Sequence, residues 1–237
     1  MIAPLRRLFA FTAFAITGLA LASPASQSIA QSAPDWTSRV SQSQVGGHIA
    51  GNPAAARKLV EYLSYTCPHC AAFEVESHDG LRRGYLADGK MSFELRNYVS
   101  NPVDLTVALL ARCGEPTEFF RRHKGLLFSQ RAWMAKANAS SRESRLAWYE
   151  GDIDARIKRI ASDLGLYDEL RRHAPQTTNA QIDICLANKA EQAKLTAMTK
   201  FATDQVKIEG TPSFTLNGKL LAGAYDWKTL EPLLASR

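Results

Sequence analysis

Cys67 and Cys70 are separated only by Pro68 and His69, a spacing that lets two sulfurs close a disulfide across one helical turn and reopen it without moving the backbone. At the start of a helix the first sulfur would meet unpaired backbone N–H groups and the positive end of the helix dipole, and both favour a thiolate. Pro68 suits a first turn, because the donor it lacks had no intrahelical partner there. His69 can place a positive charge or an N–H donor beside the Cys67 sulfur. A low thiol pKa stabilises the reduced pair and makes the oxidised pair a strong oxidant.

Zinc sites use the same spacing, so the flanking elements decide the reading. Residues 58–65 (KLVEYLSY) form an apolar, β-branched and aromatic run with the pattern of a buried strand, and Ala71, Ala72, Phe73 and Val75 continue beyond Cys70 as a helix. Strand, Cys-x-x-Cys and helix in that order is the arrangement of a thioredoxin-like redox motif. Metal handling by Cys67, His69 and Cys70 is the rival from another class. Structural zinc commonly takes four ligands as two close pairs, and Cys113 and Cys185 supply no second pair. No metal site or cofactor is therefore assigned.

Further on stands Gly210-Thr211-Pro212-Ser213-Phe214. A proline at a strand's first residue is permitted by the ladder, and a plain strand boundary is the simplest reading. Paired with the upstream cysteines, a cis Thr211-Pro212 bond would set a tight turn. It would leave backbone groups beside Cys67 free to pair with an extended peptide, a nearly sequence-blind mode of recognition.

These motifs need a scaffold. The chain has 237 residues, 46% hydrophobic and 22% charged, ordinary for a globular protein. Residues 1–22 are expected to be a cleaved signal peptide: Arg6 and Arg7 form its basic start, residues 8–22 its apolar stretch, and Ala20-Leu21-Ala22 its cleavage pattern. A second candidate end follows Ala30. Removing residues 1–22 takes away two Arg and no acid, so the net charge falls from +6 to +4. Such a balance, with no long block of like charge, excludes nucleic acid as the expected partner. Arg121-Arg122-His123-Lys124 is the densest basic run and reads as the solvated face of a helix with Phe119, Phe120 and Leu127 inside. Four cysteines in an exported chain suit an oxidising compartment.

Residues 23–47 are expected to be a mobile leader and an edge segment. Residues 48–104 carry the strand from Lys58, the Cys-x-x-Cys helix with a break near Gly80, and a second strand over 91–99, together a βαβ unit with a right-handed crossover. Residues 105–204 read as helical: 105–113, 117–130, 145–149, 153–163, a helix from Thr178 with Gln181 as its capping box, and 187–203. Residues 205–237 return to strands around the Asn217-Gly218 turn and close with a helix capped by Asp226. The fold class is α/β, a thioredoxin-like βαβ…ββα fold with an inserted helical subdomain.

Residues 60–74 (VEYLSYTCPHCAAFE) and 209–218 (EGTPSFTLNG), with the helical insertion between them and the signal peptide, resemble the DsbA family of periplasmic thiol:disulfide oxidoreductases. The resemblance implies that Cys67 is the exposed nucleophile that forms a mixed disulfide with a client. Cys70 would be the buried resolving sulfur, and His69 would stabilise the Cys67 thiolate. Thr211 and Pro212 would form the loop facing the disulfide and binding substrate. Glu61, six residues before Cys67, matches the family's acidic residue beneath the active site. Buried there, its pKa should rise and it could relay a proton to or from Cys70; a solvent-facing strand position is the plain alternative.

One departure concerns a lysine that some family members place near that acid, since residues 91–99 (MSFELRNYV) offer only Arg96. Arginine does not give up its proton in this range, so acid–base coupling would run through Glu61 and water. Some family members also carry a second disulfide in the helical subdomain, and Cys113 with Cys185 is the pair that would form it; two buried, inert thiols are the alternative. The partners implied are folding exported proteins with free cysteines and a quinone-linked membrane protein of the DsbB type, met by a monomeric or weakly associating periplasmic enzyme. A disulfide isomerase or reductase is the runner-up. Isomerases of the superfamily commonly dimerise through an added N-terminal domain, for which residues 23–57 are too short.

Overall fold

The computed structural model describes residues 34–235. The expected signal peptide, both of its candidate ends and the leader up to Ala33 lie outside them. The elements below belong to one unit, Asp35–Arg237.

Six strands form one sheet in the order β1-β2-β4-β3-β5-β6. The centre is β3 (Arg57–Leu63), the strand that delivers the chain to Cys67. It runs parallel to β4 (Met91–Asn97), with helix α1 (Pro68–Asp79) as the crossover, and antiparallel to β5 (Ser213–Leu216). A strand flanked on both sides and covered on both faces favours a near-continuous apolar run, and β3 has one. Side chains alternate along it: Leu59 and Leu63 enter the main core, while Val60 and Tyr62 pack with Ala202 and Ile208 on the other face.

The edges are short. β1 (Val40–Gln42) pairs with β2 (His48–Gly51), which adds antiparallel to β4. β6 (Lys219–Leu220) pairs with β5 through Asn217 and Gly218, whose φ values of 51° and 80° are the left-handed pair a tight hairpin turn demands. The expected edge segment is present as β1. β2 was not among the expected strands: it follows Gly46 and Gly47 and ends on Gly51. The break near Gly80 is a π-helical turn over Gly80–Leu86.

Between β4 and β5 the chain is helical. The succession is α2 (Pro102–Ala111), α3 (Phe119–Phe128), α4 (Gln130–Ala139), α5 (Arg142–Ala147), α6 (Ile153–Asp163), α7 (Leu166–His173), α8 (Asn179–Leu186) and α9 (Lys189–Phe201). α4 and α7 go beyond the sequence expectations. The capping box is formed, with Thr178 Oγ1 accepting from Gln181 N and Gln181 Oε1 accepting from Thr178 N. α10 (Trp227–Ala235) closes the chain; Asp226 Oδ1 accepts from Thr229 N at 2.8 Å, the cap expected of it. Among the described residues no helix is long and apolar enough to cross a membrane.

The basic run 121–124 is corrected by the structure. Arg121 is exposed, but Arg122 and His123 are buried. Helical spacing puts 119, 122, 123 and 126 on one face, and Phe119 and Leu126 draw that face inward. Arg122 is tolerated because it donates to the carbonyls of Ala111, at the end of α2, and Glu115; a carbonyl in the last turn of a helix has no intrahelical partner of its own.

Candidate active site

Cys67 is the N-cap of α1, with φ −82° and ψ 120°, and Pro68 takes the first helical position. That geometry leaves the Cys67 sulfur half-buried at the rim and turns Cys70 fully inward, at 0% exposure. Both thiols are free. Across from them the Thr211-Pro212 bond is cis, and the Thr211 carbonyl accepts from Cys67 Sγ at 3.1 Å.

The two sulfurs differ in acidity for reasons visible in their surroundings. Cys67 is lowered to about 5: the Cys70 thiol donates to it first, burial opposes, and the Thr211 side chain and the backbone N–H groups of Cys70 and His69 add their share. Cys70 is pushed well above the thiol range, chiefly by burial, then by the bond it donates to Cys67 and by the nearby Glu61 carboxyl. Pro68 and His69 are exposed. The backbone N–H of His69 is among the groups that lower the Cys67 thiol.

Glu61 shares the core face of β3 with Leu59 and Leu63 and is 2% exposed. Its cross-strand neighbours are Leu95 and Phe214. Burial first, then the charges of Glu74 and Cys67, hold its carboxyl well above the usual range. The solvent-facing alternative is thereby excluded. Arg96, the basic residue of β4, faces the other way: it pairs in register with Tyr62, bonds the Tyr62 hydroxyl at 3.2 Å and pairs with Glu94 at 2.8 Å.

Sequence reasoning missed several residues around the cysteines. Glu74 lies one helical turn beyond Cys70 and pairs with His78 at 3.2 Å and His123 at 3.4 Å. Burial alone would raise it, but hydrogen bonds from His123 and His78 outweigh that and hold it at about 2. His123 Nδ1 bonds the Tyr65 hydroxyl at 2.9 Å. Asp104, buried on α2, accepts from Tyr65 N at 2.7 Å and from Ser100 N at 3.0 Å; Gln130 Nε2 donates to the carbonyls of Tyr65 and Cys67. The one available signal was negative: a polar residue on an otherwise apolar helix face.

Cys113 and Cys185 are joined, with an S–S distance of 2.03 Å. They staple the end of α2 to α8, away from the Cys67–Cys70 pair in the chain. Among the described residues no three His, Cys, Asp or Glu side chains are grouped to hold a metal.

A central strand running into a dithiol at a helix start, faced by a cis-proline loop, defines a thioredoxin-fold dithiol protein. A family model described as thioredoxin matches residues 43–236, and the chain belongs to the thioredoxin family. A Rickettsia conorii protein named "putative protein-disulfide oxidoreductase" is 29% identical over 183 residues, covering 77% of this chain and 57% of the relative. The chain thus spans little more than half the length of the curated relatives it matches. The crystal structure of a protein-disulfide isomerase from Novosphingobium aromaticivorans is 42% identical, with a TM-score of 0.77, over 81% of this chain and 96% of that one. Alpha-DsbA1 of Wolbachia pipientis shares the fold at 21% identity and a TM-score of 0.62, over 80% of this chain and 89% of its own.

Proposed function

We propose that this protein is a thiol:disulfide oxidoreductase that donates the Cys67–Cys70 disulfide to exported proteins as they fold. The observation that carries the reading is the asymmetry of the pair: Cys67 at the rim, lowered to about 5, against Cys70 buried and raised. A client thiolate attacks Cys67 Sγ, the Cys67–Cys70 bond breaks, and Cys70 leaves and takes up a proton. A second client thiolate attacks the client sulfur of the mixed disulfide. The client's disulfide forms, and Cys67 leaves as a thiolate. Two electrons have passed from client to enzyme. A sulfur of low pKa leaves readily, which favours donation.

In this scheme Glu61 supplies or accepts the Cys70 proton, with no cation from β4 beside it. Thr211 and Pro212 present main chain to the client. The setting is the periplasm after removal of the signal peptide, and reoxidation falls to a quinone-linked membrane partner of the DsbB type acting on a monomer.

A second reading, isomerase or reductase, is favoured by the name of the Novosphingobium relative. The reduction potential of the Cys67–Cys70 pair, measured against glutathione buffers, separates the two. A value near that of DsbA itself, about −120 mV, supports donation; one near about −270 mV, that of thioredoxin, overturns it.

A further inference from the structure

We infer that Gln130 and Asp104 are positioning residues for Cys67, two jaws of the helical insertion that grip the main chain of the turn bearing the sulfur. The inference rests on the oxidoreductase reading of the Cys67–Cys70 pair and adds to it the residues that keep the client-facing sulfur in place.

Apart from β3 and the first bonds of α1, the turn between them is held by side-chain bonds of Ser64 and Thr66, to each other, to Ser100 and to Asn101. Its internal bond, Cys67 N to Ser64 O, is 3.2 Å long, and the first helical bond, Ala71 N to Cys67 O, is 3.4 Å. Both lie at or beyond the long end of the N–H···O range. The short bonds come from elsewhere. Gln130 Nε2 donates to Tyr65 O at 2.7 Å and to Cys67 O at 2.8 Å, so both hydrogens of one amide are spent on this turn. Asp104 Oδ1 accepts from Tyr65 N at 2.7 Å. Tyr65 is therefore held through its N–H by α2 and through its carbonyl by α4.

Each jaw is itself braced. Asp104 Oδ2 accepts from Ser100 N at 3.0 Å and from Ser100 Oγ at 3.1 Å, while Asp104 N donates to Asn101 Oδ1 at 2.9 Å. Gln130 reaches the turn because the chain breaks between α3 and α4 at Ser129, whose φ of −92° and ψ of 2° leave the helix. Ser129 Oγ donates to the Gly125 and Leu126 carbonyls, fixing the break. Gly125 is needed for the approach of α7, since a Cβ there would run into the His173 ring. Gln130, Asp104 and Tyr65 are all buried, so water does not replace a lost partner without opening the core.

With the turn gripped, Cys67 keeps the ψ that sets its sulfur over the N–H groups at the start of α1 and against the Thr211 carbonyl. With the grip released, the sulfur swings and the thiolate loses those donors. The geometry thus ties a chemical property of Cys67 to two side chains that do not touch its sulfur.

The test uses the full mature chain carrying Gln130→Met, which keeps length and removes both donors, Gln130→Glu, which keeps the shape without an amide, and Asp104→Asn. Trp133→Phe, a buried change on the same helix, serves as the control for plain destabilisation. Three quantities are read: the thiolate absorbance of Cys67 against pH, the equilibrium with glutathione, and the melting temperature. The expected result is a Cys67 titration displaced upward in the Gln130 and Asp104 variants, with the glutathione equilibrium shifted at least fivefold toward the disulfide form, while Trp133→Phe lowers only the melting temperature. Folded Gln130 variants with a native titration and an equilibrium within twofold of native would overturn the inference, as would a change confined to melting temperature. A native protein whose cysteines never equilibrate with glutathione would instead sink the oxidoreductase reading, and the titration alone would still decide the positioning.

Discussion

Cys67 Sγ donates to the Thr211 carbonyl across 3.1 Å, so the half-buried sulfur is tied, as a thiol, to the cis-proline loop. A carbonyl oxygen repels a thiolate. Ionisation must therefore break this bond and leave the sulfur to Cys70, the Thr211 side chain and the N–H groups of the helix start. Alkylation of Cys67 should accordingly show its inflection near pH 5. Cys70→Ala removes the first of the stabilising bonds and should move the inflection upward by a unit or more. An inflection left at its native pH in that variant would contradict the account.

Glu61→Gln should separate catalysis from stability. Burial holds the Glu61 carboxyl above its unfolded value, so its contribution to stability is full below that value and is lost as pH rises through the folded one. The variant should therefore melt at a higher temperature than the native protein at pH 8, and the gap should close near pH 4. Formation of the Cys67 mixed disulfide, the step in which Cys70 leaves and takes up its proton, should slow by about a hundredfold, the lower end of what acid–base groups typically supply. Stopped-flow fluorescence and calorimetry check the two halves independently.

Glu74 should behave with the opposite sign. Its folded value near 2 lies below the ordinary glutamate value of 4.5, so its stabilisation is present above about 4.5 and disappears as pH falls toward 2. The shift corresponds to something on the order of 3 kcal/mol. Glu74→Gln should flatten the acid limb of the stability curve, and a native-like limb in that variant would show that His123 and His78 do not hold the charge.

Asp104 is raised to about 6 by burial, which outweighs the bonds from Ser64, Ser100 and Tyr65. By the same sign rule as Glu61, its contribution is complete below about 3.8 and is lost as pH rises through 6. Unfolding free energy from urea titrations should therefore decline between pH 4 and pH 7 by an amount that Asp104→Asn reduces.

Replacing Cys113 and Cys185 with alanine opens a loop spanning 72 residues. The entropy of that closure is worth on the order of 4 kcal/mol, and the melting temperature should fall by several degrees. Unchanged melting in the double variant would place the benefit elsewhere.

The part of the fold that could be read from sequence was the part carried by local signals. The apolar run into Cys67, the Thr178–Gln181 cap and the Asn217-Gly218 turn each owe their conformation to residues within a few positions. β2 did not announce itself, because four residues that end on a glycine become a strand only when β4 is beside them. His123 and Arg122 were misread for a related reason: their charge suggested water, whereas Glu74 and Tyr65, from distant parts of the chain, meet His123, and the carbonyls of Ala111 and Glu115 in the preceding segment meet Arg122. Asp104 and Gln130 carry no motif. Their role lies in which backbone atoms they meet, and no spacing within their own helices encodes that.

The central strand acquires its last neighbour very late. Val60 pairs with Thr215, and the whole helical insertion must leave the ribosome before that pairing is available. Vectorial synthesis therefore presents Cys67 and Cys70 well ahead of Thr211, in a nascent chain whose thiols have nothing opposite them. The loop that lies against the Cys67 sulfur is among the last pieces to arrive, so the contact between Cys67 and Thr211 forms only once the sheet is complete.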